Sequence, residues 1–207
     1  MRKTVILTLG LFISAVLTFS GCVGTENSVL DGNEIISFSH GIVSDGKFES
    51  KLLKIGIDPG DEWNFATDEE LAKANGIEEV NDDSLEAALK NKNFVCDMIA
   101  EKKNEGSFTE SISVTYPNIR AEGASGMSEK EYAEASFKSI ENKNAVLENI
   151  SFAGKEHSSI KLSESKEGID LFQRMIFVER GRYIGIVTVT CLSEKNLDQI
   201  VSGFYSL

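Results

Sequence analysis

The stretch from Gly168 to Ser193, GIDLFQRMIFVERGRYIGIVTVTCLS, limits the fold more than any other part of the chain. Two long apolar runs flank Arg180 and Gly181, which predicts two antiparallel strands joined by a tight turn. The second run is nearly continuous in apolar residues, as is typical of a central strand that is covered on both faces. We therefore expect this hairpin to lie in the middle of a sheet.

Three capping boxes, in which a short polar residue precedes a glutamate by three positions, predict helix starts. They are Thr67 with Glu70, Asp83 with Glu86, and Ser128 with Glu131. The third opens the longest predicted helix, which we expect to reach about residue 144. Apolar residues up to Phe204 recur at helical spacing and predict a last helix that closes the chain.

The remaining strand signals pair as neighbours along the chain. KNFVCDMIAEK (92–102) and SFTESISVTY (107–116) flank a polar turn, and apolar residues alternate with hydroxyl residues in the second. Hairpins dominate the order of elements, and only the long helix offers a crossover connection. The sequence therefore predicts one α+β domain over residues 37–207, with one antiparallel sheet flanked by helices.

The first residues have the anatomy of a leader. Arg2 and Lys3 precede an uncharged run from Val5 to Phe19, which as a helix spans only about 22 Å of a membrane core of about 30 Å. The stretch FSGC resembles a bacterial lipobox. The resemblance implies a signal peptide over 1–21, a lipid on Cys22 and a tether over 22–36, at the outer face of the cell membrane. An ordinary secretory peptide and an uncleaved amphiphilic start are the alternatives.

The charge narrows the range of partners. The chain has a formal net charge of −12, and without residues 1–21 nineteen basic residues face thirty-three acidic ones, a charge of −14. Nucleic acid is excluded as a partner, because its binding depends on Lys and Arg that neutralise phosphates. We also expect repulsion from anionic lipids, so that the anchor on Cys22 holds the protein at the membrane.

Residues 58–86 are the most acidic part of the chain and give a candidate partner surface. Its residues are Trp63, Asp68, Glu69, Glu70, Glu78, Glu79, Asp82 and Asp83. One interpretation is a surface for a cationic partner or for loosely held Ca²⁺. The other is carboxylates that stabilise helix N-termini beside a solvated face, with the tryptophan packed in the core.

Residue patterns for catalysis or metal binding are missing from the sequence. GIVSDGK (41–47) has the spacing of a phosphate loop, but Phe48 stands where a hydroxyl residue should follow, so we interpret it as a turn. His40 and His157 are the only histidines, and we expect His157 on a strand surface. No catalytic residue, cofactor or metal is therefore assigned. Cys96 and Cys191 either form a disulfide or serve as small buried hydrophobes.

Three stretches carry a resemblance to a family: DPGDEWNF (58–65), SEKEYAEASFKSI (128–140) and FAGKEHSSIKL (152–162). In their order, and with a terminal hairpin and helix, the chain resembles the PsbP/Mog1-like group, and within it uncharacterised lipoproteins of Gram-positive bacteria. The resemblance implies an antiparallel sheet flanked by helices. It implies no partner, because no partner-binding residues of that group can be matched here.

The function that these features favour is a lipid-anchored, non-catalytic binding or accessory module of the cell envelope, with an unknown envelope protein or extracellular molecule as ligand. Two alternatives stay open. One is an extracellular hydrolase in which Asp, Ser and His157 meet only in the fold. The other is a module that responds to cations through its acidic stretch.

Overall fold

A computed structural model of the chain describes residues 30–31, 34–104, 108–166 and 168–207. Within them lie four helices: α1 (Asp68–Asn75), α2 (Asp82–Asn91), α3 (Glu129–Ser139) and α4 (Glu194–Ser202). The strands are β1 (Leu30–Asp31), β2 (Glu34–Ile35), β3 (Ile42–Ser44), β4 (Lys47–Ser50), β5 (Ile55–Ile57), β6 (Asn64–Phe65), β7 (Phe94–Lys103), β8 (Thr109–Pro117), β9 (Val146–Phe152), β10 (Lys155–Lys166), β11 (Ile169–Arg180), β12 (Tyr183–Cys191) and β13 (Phe204–Ser206). The predicted signal peptide and Cys22 lie outside the described residues.

The strands form two main antiparallel sheets. The larger has seven strands in the order β6-β7-β8-β12-β11-β10-β9, and the smaller has four in the order β13-β5-β4-β3. A further pair, β1 and β2, forms a short ladder. The α+β class is confirmed, but the prediction of one sheet is too simple, because the short strands around Asp45 and Gly46 pair with each other and not with the large sheet.

The hairpin of β11 and β12 lies in the middle of the large sheet, as the sequence predicts. β12 is the middle strand of the seven, and it pairs with β11 from Arg180 opposite Tyr183 to Phe172 opposite Cys191. The left-handed backbone of Gly181, at φ 58°, makes the turn, a conformation that glycine adopts without a steric penalty. The local prediction from the apolar runs is therefore confirmed in type, turn and position.

Two apolar clusters hold the layers together. The larger lies between the two sheets with α2 and α4, and its fully buried members include Phe48, Leu85 and Tyr116. The smaller lies on the other face of β10, β11 and β12, where Tyr132 and Ala133 of α3 pack against the strands. Helices and the small sheet therefore cover the central strands on both faces.

The helix starts agree with the sequence in two cases of three. Thr67 and Ser128 cap α1 and α3 with complete capping boxes, as predicted. α2 is instead capped by Asn81, whose side chain accepts the backbone N–H of Ser84 at 2.8 Å, while the N–H of Asn81 donates to the hydroxyl oxygen of Ser84 at 3.1 Å. The prediction of Asp83 as the cap was wrong by two residues, because a serine can close the same pair of hydrogen bonds as a glutamate.

Two predicted helix ends were also wrong. α3 ends at Ser139, and not near residue 144, because Ile140 already has an extended backbone. α4 ends at Ser202, and Phe204 belongs to β13, where it pairs with Ile57 of β5. Phe204 is buried either way, so its apolar character did not reveal whether a helix or a strand carries it. No helix of the described residues is long and apolar enough to cross a membrane.

Candidate functional site

The acidic stretch folds around an open groove of about 470 Å³ beside α1. We call it the α1 groove. Its lining residues are Asp68, Glu69, Ala72, Lys73, Ile77, Glu78, Glu79 and Val80. One wall is the outward face of α1, and the other is the segment 77–80 that leads to α2. The groove is therefore made by a single continuous piece of chain.

The shape of the groove follows from how α1 ends. Gly76 has a left-handed backbone at φ 59°, and its N–H donates to carbonyls of the last turn. The N–H of Ile77 then donates to the carbonyl of Ala72 at 3.0 Å, so the chain doubles back along the helix. This is the arrangement in which a glycine satisfies the orphan carbonyls of a helix end.

The opposite face of α1 is fixed to the large sheet. Asn75 donates to the carbonyl of Cys96 and accepts its N–H, both at 2.7 Å. Asn75 is buried, and Leu71 beside it is 5% exposed. Because this face is held against β7, the face with Asp68, Glu69 and Lys73 is turned to solvent.

The rim of the groove is acidic and its floor is apolar. Asp68, Glu69, Glu78 and Glu79 are exposed carboxylates, whereas Lys73 is the single cation among the lining residues. None of the ion pairs formed among the described residues includes Asp68, Glu69 or Glu78. Ala72 is buried, and Ile77 and Val80 are half-buried. A cationic head on an aliphatic stem, as in Lys or Arg, complements such a surface in both charge and polarity.

Four of the eight predicted partner-surface residues line the groove, and four do not. Trp63 is 9% exposed and packs in the main core, so the interpretation of this residue as core is confirmed and its place on the candidate partner surface was wrong. Glu70 accepts the N–H of Thr67 at 2.9 Å as part of the cap. Asp82 accepts the N–H of His40 at 2.8 Å, and Asp83 is exposed on α2. The sequence analysis did not predict the apolar floor, although Ile77 and Val80 flank the two acids of GIEEV.

A second polar cluster surrounds the buried carboxyl of Asp97, which is 2% exposed. The backbone N–H of Gly41 lies 3.0 Å from each of its oxygens, and the hydroxyl of Tyr116 also bonds to it. Burial raises the pKa of Asp97 to about 6. The cluster connects the start of β3 to β7 and is closed to a ligand, so we regard it as structural.

His157 does not lie on a strand surface as predicted, and it does not meet a serine and an aspartate. Its side chain is 11% exposed, and Nδ1 lies 2.8 Å from Oε2 of Glu129. The same carboxylate accepts the N–H of Ser158 at 2.6 Å. Glu129 therefore holds the start of α3 on β10, and a hydrolase site at His157 gains no support from this geometry.

Among the residues that the structure describes, no three or more His, Cys, Asp or Glu side chains lie together in a way that could hold a metal ion. The carboxylates of the α1 groove therefore form no such group either.

Cys96 and Cys191, the cysteines of the described part of the chain, are free and buried. Cys96 pairs with Thr115, which also pairs with Ile186, five residues before Cys191. That offset is roughly 17 Å along the strand, whereas the Cα atoms of bridged cysteines lie about 4.4–6.8 Å apart. The structure therefore contradicts the disulfide, and it favours the alternative of buried hydrophobes. Burial raises the pKa of each thiol to about 12.

No protein-family model matches the chain, and no curated protein matches it. Among solved structures, the chain is similar to PA94, a protein of unknown function from Pseudomonas aeruginosa, at 19% sequence identity. That likeness covers 49% of this chain and 71% of that chain, with a TM-score of 0.34. An overlap of this extent carries no statement about the fold or the activity of the protein.

Proposed function

We propose that the chain is a lipid-anchored protein of the extracytoplasmic membrane face, and that its domain is a non-catalytic binding module. The anchor is supported by the leader, the lipobox-like FSGC stretch and Cys22. The order of elements supports a PsbP/Mog1-like arrangement of the fold as part of the same proposal. The acidic domain supports a role in the aqueous space outside the membrane, because its net charge keeps it soluble.

The α1 groove is the proposed binding site, and its ligand class is a cationic, partly apolar segment of a protein partner. The single observation that carries this is the joint presence of four exposed carboxylates and an apolar floor of Ala72, Ile77 and Val80. Carboxylates alone are explained by solvation. Ile77 and Val80 pack against the main core on one side, and a partner in the groove would cover the sides that they leave open to water.

The geometry of the groove predicts a modest affinity for the partner. Exposed ion pairs contribute about 0.2–1 kcal/mol each and weaken with salt. The apolar floor adds to this in proportion to the area that the partner covers. We therefore expect binding that depends on salt and that needs both cationic and apolar side chains in the ligand.

Three synthetic peptides of equal length test the site. One alternates lysine and leucine, one alternates glutamate and leucine, and one alternates lysine and serine. We expect calorimetry to detect binding of the first alone, with a Kd that rises with salt. The double variant Glu69→Gln/Glu78→Gln should weaken that binding several-fold, and Val80→Ser should weaken it without changing the salt dependence.

The matched control is Glu156→Gln/Glu164→Gln, which removes two exposed acids outside the groove. It should leave the affinity unchanged. Equal loss in both double variants would show that only the overall charge matters, and unchanged binding in the groove variant would reject the site.

The anchor has a separate test. Cys22→Ser should leave an unprocessed precursor without acyl mass, because the thiolate is the nucleophile that takes the lipid. Intact mass of the membrane fraction measures this directly. A variant that is still acylated and cut before residue 22 would contradict the anchor.

A further inference from the structure

The five residues SFSHG (37–41) connect the proposed tether to β3 and belong to neither of the main sheets. We call this segment the strap. Its Phe38 is 5% exposed. The ring of Phe38 lies edge-on to those of Tyr116 in β8 and Tyr183 in β12, with centroids 5.2 and 5.6 Å away. One buried aromatic ring therefore fixes the strap to the large sheet.

The described hydrogen bonds from the backbone of the strap to other elements end on two carboxylates. The N–H of His40 donates to Oδ1 of Asp82 at the start of α2, at 2.8 Å. The N–H of Gly41 lies 3.0 Å from each carboxylate oxygen of Asp97 in β7. A segment held by a few side-chain contacts, and not by a strand ladder, can open while the rest of a domain stays folded.

The carboxyl of Asp97 lies against the strap and is 2% exposed. It is faced by His40 of the strap, Asp82 of α2 and the hydroxyl of Tyr116, and the thiol of Cys96 lies beside it. Burial raises the pKa of Tyr116 and of Cys96, so both stay uncharged. Within the described chain, the ion pair of this cluster joins Nε2 of a protonated His40 to Oδ1 of Asp82 at 3.9 Å and leaves Asp97 out.

The strap thus keeps water away from a carboxyl that has no cation bound to it. Burial without such a partner disfavours the ionised form, and it raises the pKa of Asp97 to about 6. Opening the strap would let water reach the carboxylate and remove that cost. Ionisation of Asp97 and opening of the strap therefore favour each other.

We propose that the strap is a pH-sensitive fastening, closed over Asp97 while its carboxyl is protonated and opened locally when the carboxyl ionises. An opened strap adds its five residues to the tether, a gain in reach of at most about 17 Å. This consequence for reach rests on the proposed anchor at Cys22, whereas the opening itself does not.

The sign and size of the effect follow from proton linkage. In the closed state the pKa of Asp97 is about 6, and an aspartate open to water has a pKa of about 3.9. The closed state binds the proton more tightly, so it is favoured most below about pH 4. Between pH 5 and 7.5 the ratio of open to closed molecules should rise roughly tenfold and then level off.

Hydrogen exchange of the full-length protein in low concentrations of urea tests the opening. The amide of Gly41 reports on the strap, and that of Val187 in the centre of β12 reports on unfolding of the domain. Corrected for intrinsic rates, Gly41 should exchange roughly tenfold faster at pH 7.5 than at pH 5, with little dependence on urea. Val187 should exchange far more slowly and should accelerate with urea. Equal rates and equal urea dependence at the two amides would overturn the strap.

Two variants identify the group that titrates. Asp97→Asn keeps the size of the side chain and cannot ionise, so it should remove the pH difference at Gly41. The matched control is His40→Gln, which removes the titratable side chain of the strap and should keep the difference. A difference that is lost in His40→Gln and kept in Asp97→Asn would overturn the role of Asp97.

The pH profile of the unmodified protein gives the same answer without a variant. Exchange at Gly41 should rise between about pH 4 and 6 and level off above about pH 7. A rise that continues above that range would belong to another group and would overturn the proposal.

The anchor is read separately, from the intact mass of the same sample. An acylated protein without the pH dependence at Gly41 retains the anchor and rejects the strap. A native protein without acyl mass that shows the pH dependence rejects the anchor and supports the strap.

Discussion

Gly41 donates its backbone N–H toward both carboxylate oxygens of Asp97, which lie at 3.0 Å each. The contact joins the segment that leads into β3 to the middle of β7, at the position where the register between β7 and β8 shifts. A carboxyl group is therefore buried at a bulge, with a backbone donor and the hydroxyl of Tyr116 as partners. Its protonation state is coupled to the stability of the domain.

Asp97 should make the domain less stable as the pH rises. Burial raises its pKa to about 6 in the folded state, above the value of about 3.9 in an unfolded chain. The folded state thus binds the proton more tightly. The stabilisation is complete below about pH 4 and is lost as the pH passes 6, so about 1 kcal/mol should disappear between pH 5 and 7.5.

Urea unfolding of Asp97→Asn at the two pH values checks this prediction. The amide keeps the size of the side chain and cannot ionise, so the variant should lack that part of the pH dependence. Asp61→Asn, at an exposed carboxyl, is the control and should follow the unmodified protein. Parallel pH profiles for Asp97→Asn and the unmodified protein would contradict the assigned coupling.

Gly41→Ala should destabilise the domain by about 1–3 kcal/mol. A Cβ at this position would overlap the ring of Phe48, which is fully buried, and would lie 3.2 Å from Oδ2 of Asp97. The cost should be smaller when Phe48 is replaced by leucine, because the ring is what the methyl group meets. A double-mutant cycle by denaturant unfolding measures this, and additive costs would show that the overlap is relieved elsewhere.

Arg174 and Glu148 should respond unequally to substitution. The guanidinium is 8% exposed and donates to Oε1 of Glu148 at 2.7 Å, while its Nε is buried without a hydrogen-bond partner. Glu148→Ala leaves this cation buried with less compensation, at a cost of about 1–3 kcal/mol. Arg174→Met should cost under about 1 kcal/mol or stabilise, because a paired buried charge is expensive to desolvate.

Free energies of unfolding for the two variants decide between these outcomes. Glu164→Ala, which removes an exposed acid of β10, controls for the change in net charge. If Arg174→Met costs more than Glu148→Ala, the ion pair is worth more than the packing that replaces it.

The number of cysteines that iodoacetamide modifies tests both the burial of Cys96 and Cys191 and the lipid on Cys22. Cys96 and Cys191 are buried, and burial raises the pKa of each to about 12, so neither should react with iodoacetamide in the folded protein near pH 8. Both should react in urea without prior reduction. Mass spectrometry of the mature protein should then show two modified cysteines; three would show that Cys22 carries no lipid, and none would indicate a disulfide.

The sequence determined the features that depend on near neighbours. The caps at Thr67 and Ser128 and the turn at Gly181 rest on hydrogen bonds or dihedral angles within a few residues, so the local residue types suffice to predict them. The central position of β12 follows from its own apolar run. The groove acids Asp68, Glu69, Glu78 and Glu79 were predicted as part of a partner surface because the acidic bias lies within one short stretch of the sequence.

The tertiary structure decided everything that depends on residues far apart in the chain. Phe204 lies in a strand because it pairs with Ile57 of β5, and the tertiary structure decided between the two interpretations of Trp63 in favour of the core. His157 met Glu129 across 28 positions, and Asp97 met Gly41 across 56. Such contacts are selected by the packing of whole layers, where burial and hydrogen-bond satisfaction outweigh local preference. Composition and spacing measure only what one short segment prefers by itself.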